Sequence, residues 1–344
     1  MDIKTDVVVV VPTIREANIR EFLDAWRFPC RVIVVEDNPT KTFALEGVDH
    51  YAWDDIEAQL GADAWIIPRR TDCVRSFGYL KAYETGAPTI VTLDDDCLPA
   101  FDEPGWKHHS AVTSAFLTQH LDNLQPKPAP RWWSTLENAE PRGYPYETHT
   151  AQQHVAISHG LWTGTLDWDS LTQLQIQRRA TDARFRHDLT GYRQGLVPRG
   201  QYYPMCGMNL AWRREYTVVM YFLLMGQNAA GKPWPFDRFG DIWAGILNKR
   251  VLDHLGVGVW SGAPFVHHSR ASNVWANFRK EHAGIQENES FWQLVDGARL
   301  TGNTPAECYG ELAEALADVN GAGYWSTVAR AMHLWRHWIG RTRS

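Results

Sequence analysis

The first apolar run in the chain, Val7-Val8-Val9-Val10-Val11, is uninterrupted and β-branched, and Pro12 ends it. A strand apolar on both sides belongs in the middle of a sheet that helices cover on both faces. Ile19 to Trp26 then shows helical spacing. Arg31-Val32-Ile33-Val34-Val35 repeats the strand design and gives way to a polar turn, Glu36-Asp37-Asn38-Pro39. After a helix-like stretch from Cys73 to Tyr83, Pro88-Thr89-Ile90-Val91-Thr92-Leu93 makes a third strand that stops abruptly at Asp94-Asp95-Asp96. Strand, helix, strand, helix, strand predicts an α/β fold, Rossmann-like, with a mostly parallel sheet. Such sheets bind ligands at the carboxyl ends of their strands. Thr13, Asp37 and the aspartate trio are therefore expected along one edge.

From about Gln125 to Tyr203 the periodicity is weak and Pro, Gly, Trp and polar residues are frequent. This predicts long loops and short strands covering the sheet edge. Near the C-terminus, Thr304-Pro305-Ala306-Glu307 is a capping box with proline at the first helical position, so a helix should run to about Val319. Gly321 and Gly323 interrupt it, and Val328, Met332, Trp335 and Ile339 then form one apolar stripe on a last helix. These signals divide the chain into a body, residues 1–300, and a helical extension, residues 301–344, packed on the body or on a second subunit.

Composition narrows the class. With 344 residues, 44% of them hydrophobic and 22% charged, the chain is a globular protein of one large or two ordinary domains, not a disordered or fibrous one. A net charge of −6 supplies no basic field for nucleic acid. The longest strictly apolar stretch, Val218 to Met225, has 8 residues. A bilayer span needs roughly 20, so no membrane span is expected. Acids stand near the N-terminus where a signal peptide is basic. Five cysteines without CxxC spacing read as reduced thiols, and together these features predict a cytoplasmic protein. The 17 tryptophans read chiefly as core and interface filler, with a few available to stack on a sugar or base.

The aspartate trio carries the strongest chemical signal. In an extended segment Asp94 and Asp96 share one side and Asp95 takes the other. Like charges so close favour a divalent cation with oxygen preference, Mn²⁺ or Mg²⁺, which completes its shell with water and phosphate. The competing reading is an acidic cluster that caps a turn. One of His267-His268, after a strand-like context, could add a ligand. Arg15, Lys41 and Arg75 are candidates to hold a diphosphate or ribose. Gly256-Val257-Gly258 lacks a third glycine at the right distance, and no phosphate-binding loop, nucleophile elbow or HExxH helix occurs. Neither flavin nor NAD has a seat.

Several stretches then occur in a recognisable order: Val11-Pro12-Thr13-Ile14-Arg15, Arg75-Ser76-Phe77-Gly78-Tyr79, Thr92-Leu93-Asp94-Asp95-Asp96-Cys97 and Arg142-Gly143-Tyr144-Pro145-Tyr146. Ser158-His159-Gly160-Leu161-Trp162, Pro204-Met205-Cys206-Gly207-Met208-Asn209-Leu210-Ala211, Asp241-Ile242-Trp243-Ala244-Gly245 and His268-Ser269-Arg270-Ala271-Ser272-Asn273 follow them. The set resembles the reversibly glycosylated polypeptides, the UDP-arabinopyranose mutase family, from about Asp6 to Leu312.

The resemblance implies a GT-A-like fold and a metal-dependent, flavin-free mutase. It would interconvert pyranose and furanose forms of a nucleotide-linked sugar, UDP-linked or, as in related bacterial members, GDP-linked. Its expected contacts to that ligand are Pro12, Thr13, Arg15, Asp37, Arg75, Asp94, Asp95 and Asn209. Asp94, Asp96 and His268 would hold the metal. Arg142 matches the arginine that becomes glycosylated; it would be either a nucleophile, with Asp241 or Glu147 as its base, or a clamp on the departing diphosphate. Three positions depart from the family pattern. His149 stands in place of its second functional arginine, Gly240 precedes Asp241 where the family has two aspartates, and Glu36-Asp37-Asn38 replaces Gln-Asp-Gly. A homo-oligomer is expected. A glycosyltransferase with a separate acceptor and a non-catalytic nucleotide-sugar-binding partner are the alternative functions.

Overall fold

The valine run explains the layering. Val8 and Val10 enter one buried cluster, and Val7, Val9 and Val11 enter another, as the two-residue period of a strand requires. The second strand divides the same way, Ile33 and Val35 to the first cluster, Val32 and Val34 to the second. The computed structural model describes residues 2–100, 110–130, 132, 134, 142–145, 150–164, 168–179, 192–268, 273–319 and 323–341.

In chain order the strands are β1 (Val7–Thr13), β2 (Arg31–Glu36), β3 (Asp49–Tyr51), β4 (Thr89–Leu93) and β5 (Cys97–Pro99). After them come β6 (Lys127–Pro130), β7 (Thr150–Gln153), β8 (Val155–Gly164), β9 (Gly195–Leu196), β10 (Asn209–Arg213) and β11 (Gly258–His268). A nine-stranded sheet has the order β3-β2-β1-β4-β10-β8-β11-β5, with β9 beside β11, while β6 and β7 form a separate antiparallel pair. β1 to β4, β8 and β11 share one direction; β10, β5 and β9 oppose them. The sheet is thus mostly parallel, in a Rossmann-like, GT-A-type α/β fold.

The helices are α1 (Ile3–Asp6), α2 (Glu16–Trp26), α3 (Trp53–Leu60), α4 (Arg75–Glu84) and α5 (Ser110–Asn123), then α6 (Ser170–Arg179), α7 (Gly240–His254), α8 (Val274–Gly297), α9 (Pro305–Ala317) and α10 (Tyr324–Arg341). Residues of α2 and α5 fill the cluster on one sheet face; α3, α4, α7, α9 and α10 fill the other. Among the described residues, no helix is long and apolar enough to cross a membrane. All five cysteines are free thiols.

One segment differs from the sequence expectation. Val155–Gly164, placed among covering loops, is a ten-residue strand in the middle of the sheet. Its apolar run is broken by Ser158 and His159, both buried and hydrogen-bonded. Polarity that is satisfied inside the protein carries no outward signal in a sequence. The longest apolar stretch, Val218–Met225, takes an irregular course. It is buried along its whole length, yet beyond the 3₁₀ turn Arg214–Val219 it is neither helix nor strand. Side chains satisfy its backbone instead. Trp335 Nε1 donates to the Val218 carbonyl at 3.0 Å, Tyr324 Oη to that of Leu224 at 2.7 Å, and the Phe222 amide to Ser76 Oγ at 3.1 Å. The α9 capping box forms as read, and the stripe Val328, Met332, Trp335 and Ile339 is buried against the body of the same chain.

Trp335 is wholly buried and stacks on Tyr221 with ring centroids 5.3 Å apart. Trp335→Ala is expected to lower the unfolding free energy by about 3–5 kcal/mol. Trp275→Ala, at a site 60% exposed, should change it by less than about 0.5 kcal/mol. Urea denaturation followed by circular dichroism compares the two.

Candidate active site

Because β1, β2, β4 and β11 run the same way, their carboxyl ends meet at one edge. There a cavity of ≈ 1080 Å³ gathers Thr13, Asp37, Asp94, Asp95, Asp96 and His268. Pro12, Arg15, Arg75 and Asp241 also line it. The antiparallel pairing of β11 with β5 sets His268 opposite Cys97, and so beside Asp96.

The three aspartates do not alternate as in a strand, because the chain leaves β4 at Leu93 and turns at Asp95-Asp96. Each goes to a different partner. Asp94 pairs with Arg75. Asp95 accepts a 2.6 Å hydrogen bond from Thr13 Oγ1. Asp96 Oδ1 lies 3.7 Å from His268 Nε2. Burial pushes the Asp95 carboxyl up to about 6; the Thr13 hydrogen bond opposes this and the charges of Asp96 and Asp94 add to it. Burial also raises Asp94, against the pull of Arg75.

Arg75, expected to hold a diphosphate, borders the cavity with its guanidinium engaged by protein partners. Only 1% of its side chain is exposed. Besides Asp94 it donates to the carbonyls of Gly207 at 2.6 Å and Asp72 at 3.1 Å, and to Thr92 Oγ1 at 3.3 Å. Asn209 is likewise engaged within the protein. Its amide donates to the carbonyls of Leu161 and Pro264, both at 2.9 Å, and its Oδ1 faces His120 Nε2 at 2.9 Å, so it holds the sheet together and does not line the cavity. Arg142 lies on an exposed turn and is not among the residues that line the cavity. Lys41 pairs with Asp55 at 3.1 Å, also away from the cavity. His149 and Glu147 lie outside the described residues.

Asp37 closes the β2 end of the cavity. It is buried, and its Oδ1 accepts from Trp53 Nε1 at 2.8 Å and from the Arg70 amide at 3.0 Å. Arg70 holds a left-handed backbone (φ 57°) and sets its guanidinium over the Trp53 ring, 5.0 Å from the centroid. Arg70, Arg238 and Lys280 are cavity cations that sequence reading missed. The adjacent pair Arg69-Arg70 in a polar loop was the one available signal. Arg238 pairs with the buried Glu281 at 2.8 Å, which also accepts from the Ser170 amide at 2.6 Å and so ties α6 to α8.

Gly240 has a local reason. A Cβ there would stand 2.4 Å from Cys73 Sγ, so the thiol fills the space that a larger residue would take, and Asp241 and Ile242 line the cavity from the start of α7.

The donor chemistry says which residues could hold a cation. Among the described residues no group of three or more His, Cys, Asp or Glu suits a metal ion. Asp94 is paired to Arg75, while Asp96 and His268 set one oxygen and one imidazole across 3.7 Å from each other. Two protein ligands fit an oxygen-preferring divalent ion that takes the rest of its shell from phosphate and water.

Fold and cavity together define a GT-A-like α/β protein with an acid-lined ligand site at the carboxyl edge of its sheet. The chain belongs to the reversibly glycosylated polypeptide family, whose family model matches residues 3–342. It is 36% identical to UDP-arabinopyranose mutase 1 of Arabidopsis thaliana over 97% of this chain and 92% of that protein. It is 35% identical to UDP-arabinopyranose mutase 1 of Oryza sativa subsp. japonica, over 97% and 90%. The probable UDP-arabinopyranose mutase 2 of Solanum tuberosum is likewise 35% identical, over 97% and 89%.

Arg75→Met leaves Asp94 without its counter-ion and is expected to destabilise the fold by about 3 kcal/mol in urea melts. Gly240→Ala should cost about 1–3 kcal/mol through overpacking. Most of that loss should disappear when Cys73→Ala is combined with it, a coupling that a double-mutant cycle measures directly.

Proposed function

We propose that the chain is a mutase that interconverts the pyranose and furanose forms of UDP-arabinose. The observation that carries this reading is the identity with proteins named UDP-arabinopyranose mutases over nearly the whole of both chains. The acid-lined cavity supports it, and the choice of UDP over GDP follows the same relatives.

A sugar fixed through its anomeric oxygen cannot change ring size. The bond from C1 to the diphosphate oxygen must break, O5 must leave C1, O4 must close on C1, and the diphosphate must return. The first cleavage puts negative charge on the diphosphate and positive charge on the sugar, so catalysis consists largely in holding both. Asp96 and His268 would hold a divalent ion, Mn²⁺ or Mg²⁺, whose chemistry when bound is neutralisation of charge on a diphosphate. Arg15, Arg238 and Lys280, cations of the cavity wall, offer further donors to phosphate oxygens. Asp241 supplies a carboxylate for the positive charge at C1. Asp94, tied to Arg75, orders the wall instead of binding ligand. The cavity would keep the separated sugar and nucleotide close together until they rejoin.

The test needs no acceptor. UDP-arabinopyranose incubated with the protein and Mn²⁺ should yield UDP-arabinofuranose by NMR or chromatography, and free UDP with arabinose, or no change, would overturn the mutase reading. Chelation and Asp96→Ala should each lower turnover by about 100-fold or more. Full activity under chelation would remove the metal from the proposal.

A further inference from the structure

Exchanging ring size moves a proton as well as bonds. Opening the pyranose puts a proton on O5, and closing the furanose takes one from O4, so the net change is a transfer between two oxygens of the same sugar. Two groups on the cavity wall are joined by a path suited to that transfer. Tyr203 Oη lies 3.0 Å from His159 Nδ1 and 2.8 Å from Ser261 Oγ, and Ser261 Oγ is 3.2 Å from the same nitrogen. On the other side of the ring, His159 Nε2 lies 3.5 Å from Cys206 Sγ. Tyr203 and Cys206 both line the cavity, while His159 between them is buried.

The sheet fixes this path. His159 stands on β8 directly beside Ser261 on the parallel β11. Cys206 precedes Gly207, whose carbonyl Arg75 holds together with Asp94, so the thiol end belongs to the loop tied to the acidic edge. An imidazole can accept a proton at one nitrogen while it releases one at the other. Burial, and secondarily the neighbouring His120, pull the basicity of His159 down to a pKa of about 3, so the ring stays neutral and changes tautomer instead of gathering charge. Burial pushes the Tyr203 hydroxyl up to about 12, which keeps it a donor at neutral pH.

We propose that Tyr203, His159 and Cys206 form a proton relay along the cavity wall that serves ring opening and closure, an inference that rests on the mutase reading above. The relay balances. As C1–O5 breaks, its electron pair goes to O5, which takes the proton of Cys206 Sγ. Sγ is refilled from His159 Nε2, Nδ1 takes the Tyr203 proton, and Tyr203 takes the proton that O4 loses as a lone pair of O4 forms the bond to C1. The protein ends neutral, with His159 in its other tautomer, and the sugar keeps the positive charge at C1 until the diphosphate returns. The two tautomers serve the two directions of a reversible reaction.

Tyr203→Phe and Cys206→Ala should each lower kcat by about 100-fold or more, with KM and UDP affinity within about threefold of wild type. Cys206→Ser, which restores an exchangeable proton, should recover much of the loss. The wild-type solvent isotope effect should be curved in H₂O/D₂O mixtures, as expected for several protons in flight, and should become linear in Tyr203→Phe. His159→Asn extends the test where it folds; the two wall variants suffice where it does not. If wild type forms furanose while Tyr203→Phe and Cys206→Ala keep their kcat, or change only KM, the relay is overturned and the mutase reading stands. If wild type forms no furanose, the mutase reading falls and the relay with it.

Discussion

A guanidinium buried under the carboxyl edge of the sheet is the constraint on which the site depends. Arg75 enters at the first turn of α4, almost without exposure, and joins the aspartate turn after β4, the 3₁₀ turn at Asp72 and the loop that leads into β10. Removing a charge from water costs several kcal/mol, and the Asp94 partner together with the carbonyl acceptors offsets that cost. The arrangement leaves Gly207 no room for a side chain, since a Cβ would lie 2.5 Å from Arg75 Nη1. Acid turn and loop are therefore tied to the same side chain. The bond orients the site more than it stabilises the fold.

The parts legible in the sequence were those governed by local rules. β1, β2 and β4 declare themselves because strands buried on both faces are apolar at every position. The gathering of Thr13, Asp37 and the aspartate trio follows from parallel direction alone, and the start of α9 from Thr304 and Glu307. Side-chain direction was not legible. Arg75 and Asn209 have the composition of ligand contacts, and tertiary packing turns both inward. Arg238 and Lys280 reach the cavity from α7 and α8 territory through contacts distant in sequence, which no periodicity announces.

The misread strand β8 shows the same limit and gives it a functional meaning. An apolar strand would fill the centre of the sheet as well, yet Ser158 and His159 occupy it. Successive residues face opposite sides, and the two have opposite fates. Ser158 meets His120 Nδ1 at 2.8 Å and Asn123 Nδ2 at 3.0 Å, a network whose members all lie inside the protein. His159 instead bonds to Tyr203 and Cys206, which both border the cavity. The first network satisfies polar groups and fixes the register of β8 against β10 and α5. The second carries the interior of the sheet out to the cavity wall. Sequence rules for strands break where a protein trades apolar packing for chemistry. Here the break falls on one strand, with structure served on one face and the site on the other.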